Sequence, residues 1–423
     1  MRTPPLRPFA LVNAVAAGLT LGCAATHAQE APRPGYPVGA VLASAVGRPD
    51  RADQQFHLRW LKHAGLNCVQ TEMLAVADGY TSWDFVHAKP GRPDWTAYDH
   101  FVADADAAGL DTYLQVLNWR NPPPWFWQQH PDAYMMTPLG GGDELSAVKR
   151  DDAHDIPAFP TIVHPAYRKL LEHFARDLAR RYKDHPRVRG YFIGEELGLN
   201  NIWPPANYYG LDFSPHMIKA FQAHLRGKYR TVAALNKAWG HPDRYRNFAD
   251  ITWRRGWAHE PANYRGEWLD YYQFLQLTLA DLFNLLARAI HEEDPDALVL
   301  VSGFEIFGAN RIGHAGYVPL MTQVDAFAYK SYWRPNRLNV DWLSGVTGKP
   351  AWCSNLSERQ TTTGPTAEQR YQEPTYVRRE FWPAYASGLE GLFVFLWSPL
   401  STDNLQKMNV LDPQSDGSLG PRR

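Results

Sequence analysis

Eight short apolar runs recur along this 423-residue chain, and helical patterns separate most of them. The runs are Val38 to Ala43, Leu66 to Thr71, Thr112 to Leu117, Val188 to Ile193, Leu298 to Val301, Val324 to Tyr329, Ala351 to Cys353 and Leu392 to Leu396. Gln54 to Ala64, Trp95 to Ala108, Tyr167 to Tyr182 and Trp268 to Ile290 read as the intervening helices. The last places Leu275, Leu279, Leu282, Phe283 and Leu286 near one face. Strands that alternate with helices pair in parallel through crossovers. Eight of them predict closure, so the expected class is α/β and the expected fold a (β/α)8 TIM barrel. Thr137 to Pro160 and Leu199 to Trp257 interrupt the alternation. They read as inserted loops at the C-terminal face, the second carrying a helix over Pro215 to Lys228. After the eighth strand only Ser398 to Arg423 remain, so the last helix is expected to be short (Thr402 to Met408) or missing.

The N-terminus predicts export. Arg2 and Arg7 precede the apolar stretch Leu11 to Leu21, and Thr26-His27-Ala28 supplies small residues before a cleavage point after Ala28. The expected layout is a signal peptide over 1–28, a Pro-rich leader over 29–36 and a barrel over 37–423, in a periplasmic or secreted protein. Gly22-Cys23 offers a lipoprotein alternative, which Thr20 and Leu21 fit poorly. The apolar stretch is too short to span a bilayer, and no later segment reads as transmembrane. Cys68 and Cys353 then remain, in apolar segments, and are expected to be buried free thiols. The chain has no CxxC or HExxH motif and no His/Cys group at metal-ligand spacing, so neither metal nor cofactor is expected. A formal charge of −1 argues against nucleic acid or an anionic membrane as partner. Aromatic residues make up 13% of the chain, with 16 Trp, which fits either a large aromatic core or rings that stack on sugar faces.

The run Arg189-Gly190-Tyr191-Phe192-Ile193-Gly194-Glu195-Glu196 is an apolar strand ending in two carboxylates. At the mouth of a barrel a carboxyl group with a raised pKa serves as a general acid. Glu196 is the candidate acid. Glu195 adjoins it too closely to face it, since neighbouring strand residues point to opposite sides, but it can bind a sugar hydroxyl if the strand has ended. The second carboxylate is open between Glu358, on the loop Asn355-Leu356-Ser357-Glu358, and Glu305, just past the fifth strand. The alternative for Glu358 is a surface acid opening a helix, and for Glu305 a loop ion pair.

Several passages, in order, resemble glycoside hydrolase family 42, the bacterial β-galactosidases. They include Ala64-Gly65-Leu66-Asn67-Cys68-Val69, Pro123-Pro124-Trp125 with His130-Pro131, Arg181 to Pro186, Gly190-Tyr191-Phe192-Ile193, Ala234 to Gly240 and Leu269 to Phe274. The resemblance implies a retaining β/α-barrel glycosidase acting on an oligosaccharide or other glycoside. By its motif Glu196 matches the acid/base, while Glu195 stands where members carry Asn. Members place their nucleophile five residues past a Lys-Pro pair; here Lys349-Pro350 leads to Asn355, with Glu358 three residues on. Tyr332 matches the position that touches the nucleophile and Trp397 the floor of the first sugar subsite. Asn118, Trp119 and Trp333 are the remaining expected sugar contacts, and Asn355 is added by its offset. The Cys cluster that binds zinc in some members has no counterpart. Ser398-Pro399-Leu400 replaces the charged residues expected after Trp397. If no carboxylate faces Glu196, the alternative is a carbohydrate-binding barrel without turnover. A third option is an inverting pair of Glu196 with Glu305. Sugar, linkage and oligomeric state are not legible.

Overall fold

The protein is described by a computed structural model. It covers residues 36–43, 51–72, 86–87, 89–116, 122–138, 144–149, 158–194, 211–241, 243–252, 254, 263–304, 318–331, 336–356 and 381–394. Eight parallel strands close into a barrel: β1 (Val38–Ala43), β2 (Cys68–Glu72), β3 (Asp111–Gln115), β6 (Val188–Ile193), β7 (Leu298–Phe304), β8 (Ala326–Ser331), β9 (Ala351–Leu356) and β10 (Leu389–Val394). The ring closes where Val38 of β1 pairs with Leu392 of β10. A two-stranded antiparallel sheet, β4 (Met136–Pro138) with β5 (Leu145–Ala147), stands apart from it. The barrel belongs to a compact unit spanning Pro37–Arg423.

The strands have two apolar faces, and the period of two sorts them. One set meets inside the ring: Val41, Cys68, Tyr113, Phe192, Leu300, Ala326, Ala328, Trp352 and Phe393. The alternate set, including Leu42, Val69, Leu114, Ile193, Val301 and Phe327, joins the core beneath the helices. Those helices are α1 (Arg51–His63), α2 (Thr96–Ala107), α3 (Pro124–Gln129), α4 (Pro165–Tyr182), α5 (Pro215–Tyr229), α6 (Val232–Ala238), α7 (Arg265–His291) and α8 (Asn336–Thr347). Strands buried on both faces give nearly continuous apolar runs, which is why all eight were visible in the sequence.

The interior is filled by rings. Tyr113 lies 5.3 Å from Phe393, 5.5 Å from Trp352 and 6.1 Å from Phe192, centroid to centroid. Phe192 lies 5.5 Å from Phe393. Space for the largest ring comes from Gly391, where a Cβ would stand 2.1 Å from the Trp352 ring. Burial drives the pKa of the Tyr113 phenol far up, so the plug carries no charge at any physiological pH. Cys68 and Cys353 are buried free thiols, as expected.

Differences from the sequence reading are local. Thr137 to Pro160 contains the β4–β5 hairpin rather than loop alone. α3 and α8 appear where the sequence predicts no helix, while α6 falls on Ala234 to Gly240, the passage whose resemblance implies an insertion helix. Residues after Val394, including the expected final helix stub, lie outside the described residues, as do the signal segment and most of the leader. No described helix is long and apolar enough to cross a membrane.

Beside the barrel, α5 and α6 lie against the first turns of α7. Gly266 of α7 makes room for Trp239, since a Cβ there would stand 2.5 Å from the indole Cδ1. Asp270 accepts three hydrogen bonds: from the Trp239 indole N–H at 2.9 Å, from Lys228 Nζ at 2.6 Å and from the Tyr229 hydroxyl at 2.7 Å. Arg244 Nη1 donates to the fully buried Glu267 at 2.8 Å.

Candidate active site

Two residues beyond four of the plug residues, on the same inward side, the strands turn polar. Gln115 follows Tyr113, Ser302 follows Leu300, Ser354 follows Trp352, and Gln70 follows Cys68. All four are buried. The Ser302 hydroxyl donates to the carbonyl of Gly194 at 2.9 Å, which ties the end of β6 to β7. Ser354 Oγ reaches the Tyr329 carbonyl at 3.4 Å. The Gln70 side-chain carbonyl has no hydrogen-bond partner. Uncharged polar groups thus begin where the aromatic plug stops, toward the C-terminal ends of the strands, the end at which barrels carry their chemistry. Periodicity could have singled them out, since each is a polar residue at inward parity in an apolar run.

The strand ends are irregular at this side. Register shifts fall between Val301 and Phe304, between Tyr329 and Lys330, and between Leu392 and Val394. Such shifts re-aim side chains at barrel rims. Gly194 takes φ +77°, which glycine adopts without steric cost. The turn comes immediately before Glu195-Glu196. Strand alternation therefore cannot be carried from Phe192 to these two residues, and the argument that adjacent carboxylates point to opposite faces does not apply to them.

Of the expected site residues, Glu195, Glu196, Glu305, Glu358, Asn118, Trp119, Tyr332, Trp333 and Trp397 lie outside the described residues. Asn355 is described through its backbone alone, which sits in β9 and pairs with Lys330 of β8. What the fold does specify is the strand each one follows. Asn118 and Trp119 come after β3, Glu195 and Glu196 after β6, Glu305 after β7, Tyr332 and Trp333 after β8, Glu358 after β9 and Trp397 after β10. Those strands run in parallel in one ring, in which β7 adjoins β6 while β9 is separated from β6 by β7 and β8.

The profile of a glycoside hydrolase family, described as beta-galactosidase, matches residues 50–411. The chain belongs to glycoside hydrolase family 42. It is 24% identical over 351 residues to "Beta-galactosidase BbgII" of Bifidobacterium bifidum, covering 80% of this chain and 47% of that one. It is 27% identical over 361 residues to "Beta-galactosidase BgaA" of Thermus sp, covering 80% of this chain and 52% of that one. The chain thus spans about half the length of these curated relatives. A β-galactosidase from the haloarchaeon Halorubrum lacusprofundi superposes with a TM-score of 0.71 at 17% identity, covering 91% of this chain and 56% of that one. At that identity the likeness concerns the fold, and it agrees with the closed barrel.

One grouping escaped the sequence reading altogether. Beside the insertions, His130, Asp132 and His164 come together, each offering a ligand atom within 4.8 Å of the others. Their spacing along the chain matches no metal motif, so only the fold shows the group.

Proposed function

We propose that this member of the family is an exported glycoside hydrolase that cleaves a β-linked glycoside, galactosides being the first substrates to try, by double displacement. Family membership over most of the chain supports hydrolysis, and the names of the relatives motivate the choice of sugar. Glu196 acts as acid/base: protonated, it gives its proton to the glycosidic oxygen as the bond to the anomeric carbon breaks. Glu358 acts as nucleophile, and its carboxylate bonds to that carbon. Water then attacks, Glu196 takes the water's proton, and the sugar leaves with its original configuration.

The observation that carries this assignment is the strand order. A retaining pair needs carboxyl groups about 5–5.5 Å apart across the sugar. Glu196 and Glu358 follow β6 and β9, with two strands between them, so their positions suit opposite sides of a mouth. Glu305 follows β7, the immediate neighbour of β6, and suits a supporting place.

Glu196→Gln keeps the shape of the side chain and cannot protonate the leaving group. It is expected to lower turnover of a natural oligosaccharide about 10²–10⁴-fold, with circular dichroism unchanged. Glu358→Ala is expected to abolish turnover and to recover it with azide, as a glycosyl azide of inverted configuration. Glu305→Ala is expected to retain appreciable activity. Azide rescue of Glu305→Ala instead would move the nucleophile to Glu305. Sugar binding by calorimetry without product from the wild-type chain would replace hydrolysis with glycan binding.

A further inference from the structure

We propose that His130, Asp132, His164 and His216 form a binding site for a divalent transition metal of the zinc class, which clamps the segment after β3 to the insertion helix after β6. The four residues come from separate places: His130 from the end of α3, Asp132 from the turn that follows, His164 from the N-cap of α4 and His216 from the first turn of α5. His216 Nε2 lies 2.8 Å from Asp132 Oδ2, and His164 Nε2 lies 3.6 Å from Asp132 Oδ1. The His164 ring centroid is 4.6 Å from that of His216 and 5.3 Å from that of His130.

His164 is the group that calls for an explanation. It is 5% exposed, and its Nδ1 has no hydrogen-bond partner. At 3.6 Å its Nε2 is also too far from Asp132 for a good hydrogen bond. A buried imidazole with neither nitrogen well engaged is costly. Phe126 packs beside both His130 and His164 and gives the cluster a dry apolar wall.

Three imidazole nitrogens and one carboxylate oxygen are the donor set that zinc takes in tetrahedral sites, at about 2.0–2.2 Å from the ion. Ligand atoms around such an ion stand about 3.4 Å apart, so His130, Asp132 and His164 must contract by up to about 1.4 Å and His216, already 2.8 Å from Asp132, must turn toward them. Asp132 is exposed and His130 and His216 are partly so, which leaves the necessary rotamer freedom on three of the four ligands. The N-termini of α4 and α5 oppose a cation, and the Asp132 carboxylate offsets them.

The test uses the full chain, freed of metal by a chelator, and does not depend on glycosidase activity. Zn²⁺ titrated by calorimetry is expected to bind at one ion per chain and to raise Tm by about 3–5 °C at a hundredfold excess over Kd. Co²⁺ in its place is expected to show the intense visible absorption of a tetrahedral site. Asp132→Asn and His216→Ala alter partly or fully exposed side chains, so both variants are expected to fold and to lose at least about 100-fold in Zn²⁺ affinity. Failure of the wild-type chain to take up stoichiometric Zn²⁺ overturns the proposal. So does uptake that persists unchanged in both variants.

Discussion

The barrel interior and the seam between α5, α6 and α7 use the same local device and differ in what secures it. In each, a glycine makes space for a tryptophan: Gly391 for Trp352 inside the ring, Gly266 for Trp239 at the seam. At the seam the indole N–H donates to Asp270, which also accepts from Lys228 and Tyr229. In the interior the Trp352 indole nitrogen has no hydrogen-bond partner, and the ring is held by its neighbours' shapes alone. The interior therefore depends on volume, while the seam depends on volume and on a carboxylate with three donors.

The sharpest separation comes from removing the ring. Trp352→Ala empties the centre of the plug and is expected to cost about 3–5 kcal/mol in urea unfolding. A loss below about 1 kcal/mol would mean that the interior collapses around the gap and is not specified by shape. Asp270→Ala is next: it strands three donors, two of them in part-buried surroundings, and is expected to cost about 2–3 kcal/mol. Asp270→Asn, which still accepts hydrogen bonds, should recover part of that loss. Equal losses for Asn and Ala would show that charge, not hydrogen bonding, holds the seam. Gly391→Ala and Gly266→Ala each force a Cβ against an indole and are expected to cost about 1–3 kcal/mol by overpacking. The interior variant should lose more, since Trp352 is hemmed in by rings on several sides.

The barrel was readable from sequence because each strand is buried twice over, which leaves apolar runs such as Leu298 to Val301 that only a closed or covered sheet accounts for. β4 and β5 were not, because three-residue strands carry no periodicity. Nor was α3, whose six residues Pro124–Gln129 begin with four that are proline or aromatic and read as a loop. The candidate carboxylates were legible by motif, while the spacing between them is a property of loops that follow the strand ends. The histidine cluster was invisible for a different reason. Its members lie on α3, the turn after it, the N-terminal end of α4 and α5, and meet only where these pack together.

The smallest expected effects concern pH, and they again separate charged from uncharged parts. His291 donates to Asp325 at 3.0 Å, and that hydrogen bond raises the imidazole pKa. A raised pKa adds stability that is fully present below the unfolded value near 6.5 and is lost as pH rises through the folded value. The Tm difference between wild type and His291→Gln should thus shrink above about pH 7, and the pair is worth less than about 1 kcal/mol. Asp104 gives the opposite sign. Burial opposes its ionisation, but hydrogen bonds led by Arg51, at 2.9 and 2.8 Å, prevail and depress its pKa. Its contribution is present above the unfolded value and is lost as pH falls through the folded one, below about pH 4. Arg51→Ala should flatten that acid limb. Trp352→Ala should leave both limbs unchanged, and any change in either would show that the interior is coupled to the charged shell.

The pairing of Val38 with Leu392 makes the first strand of the barrel the neighbour of the last. Closure must therefore wait until β10 has been synthesised, long after β1. Up to that moment β1 and β9 are bare edges able to recruit strands from other chains. A chain cut before Leu389 keeps both edges permanently and is expected to accumulate as aggregate. Rejoining the ends of the barrel by a linker between Pro37 and the residues after Val394, with new termini cut elsewhere, would bring these two strands together early. Faster refolding of such a permuted chain would identify ring closure as the slow step.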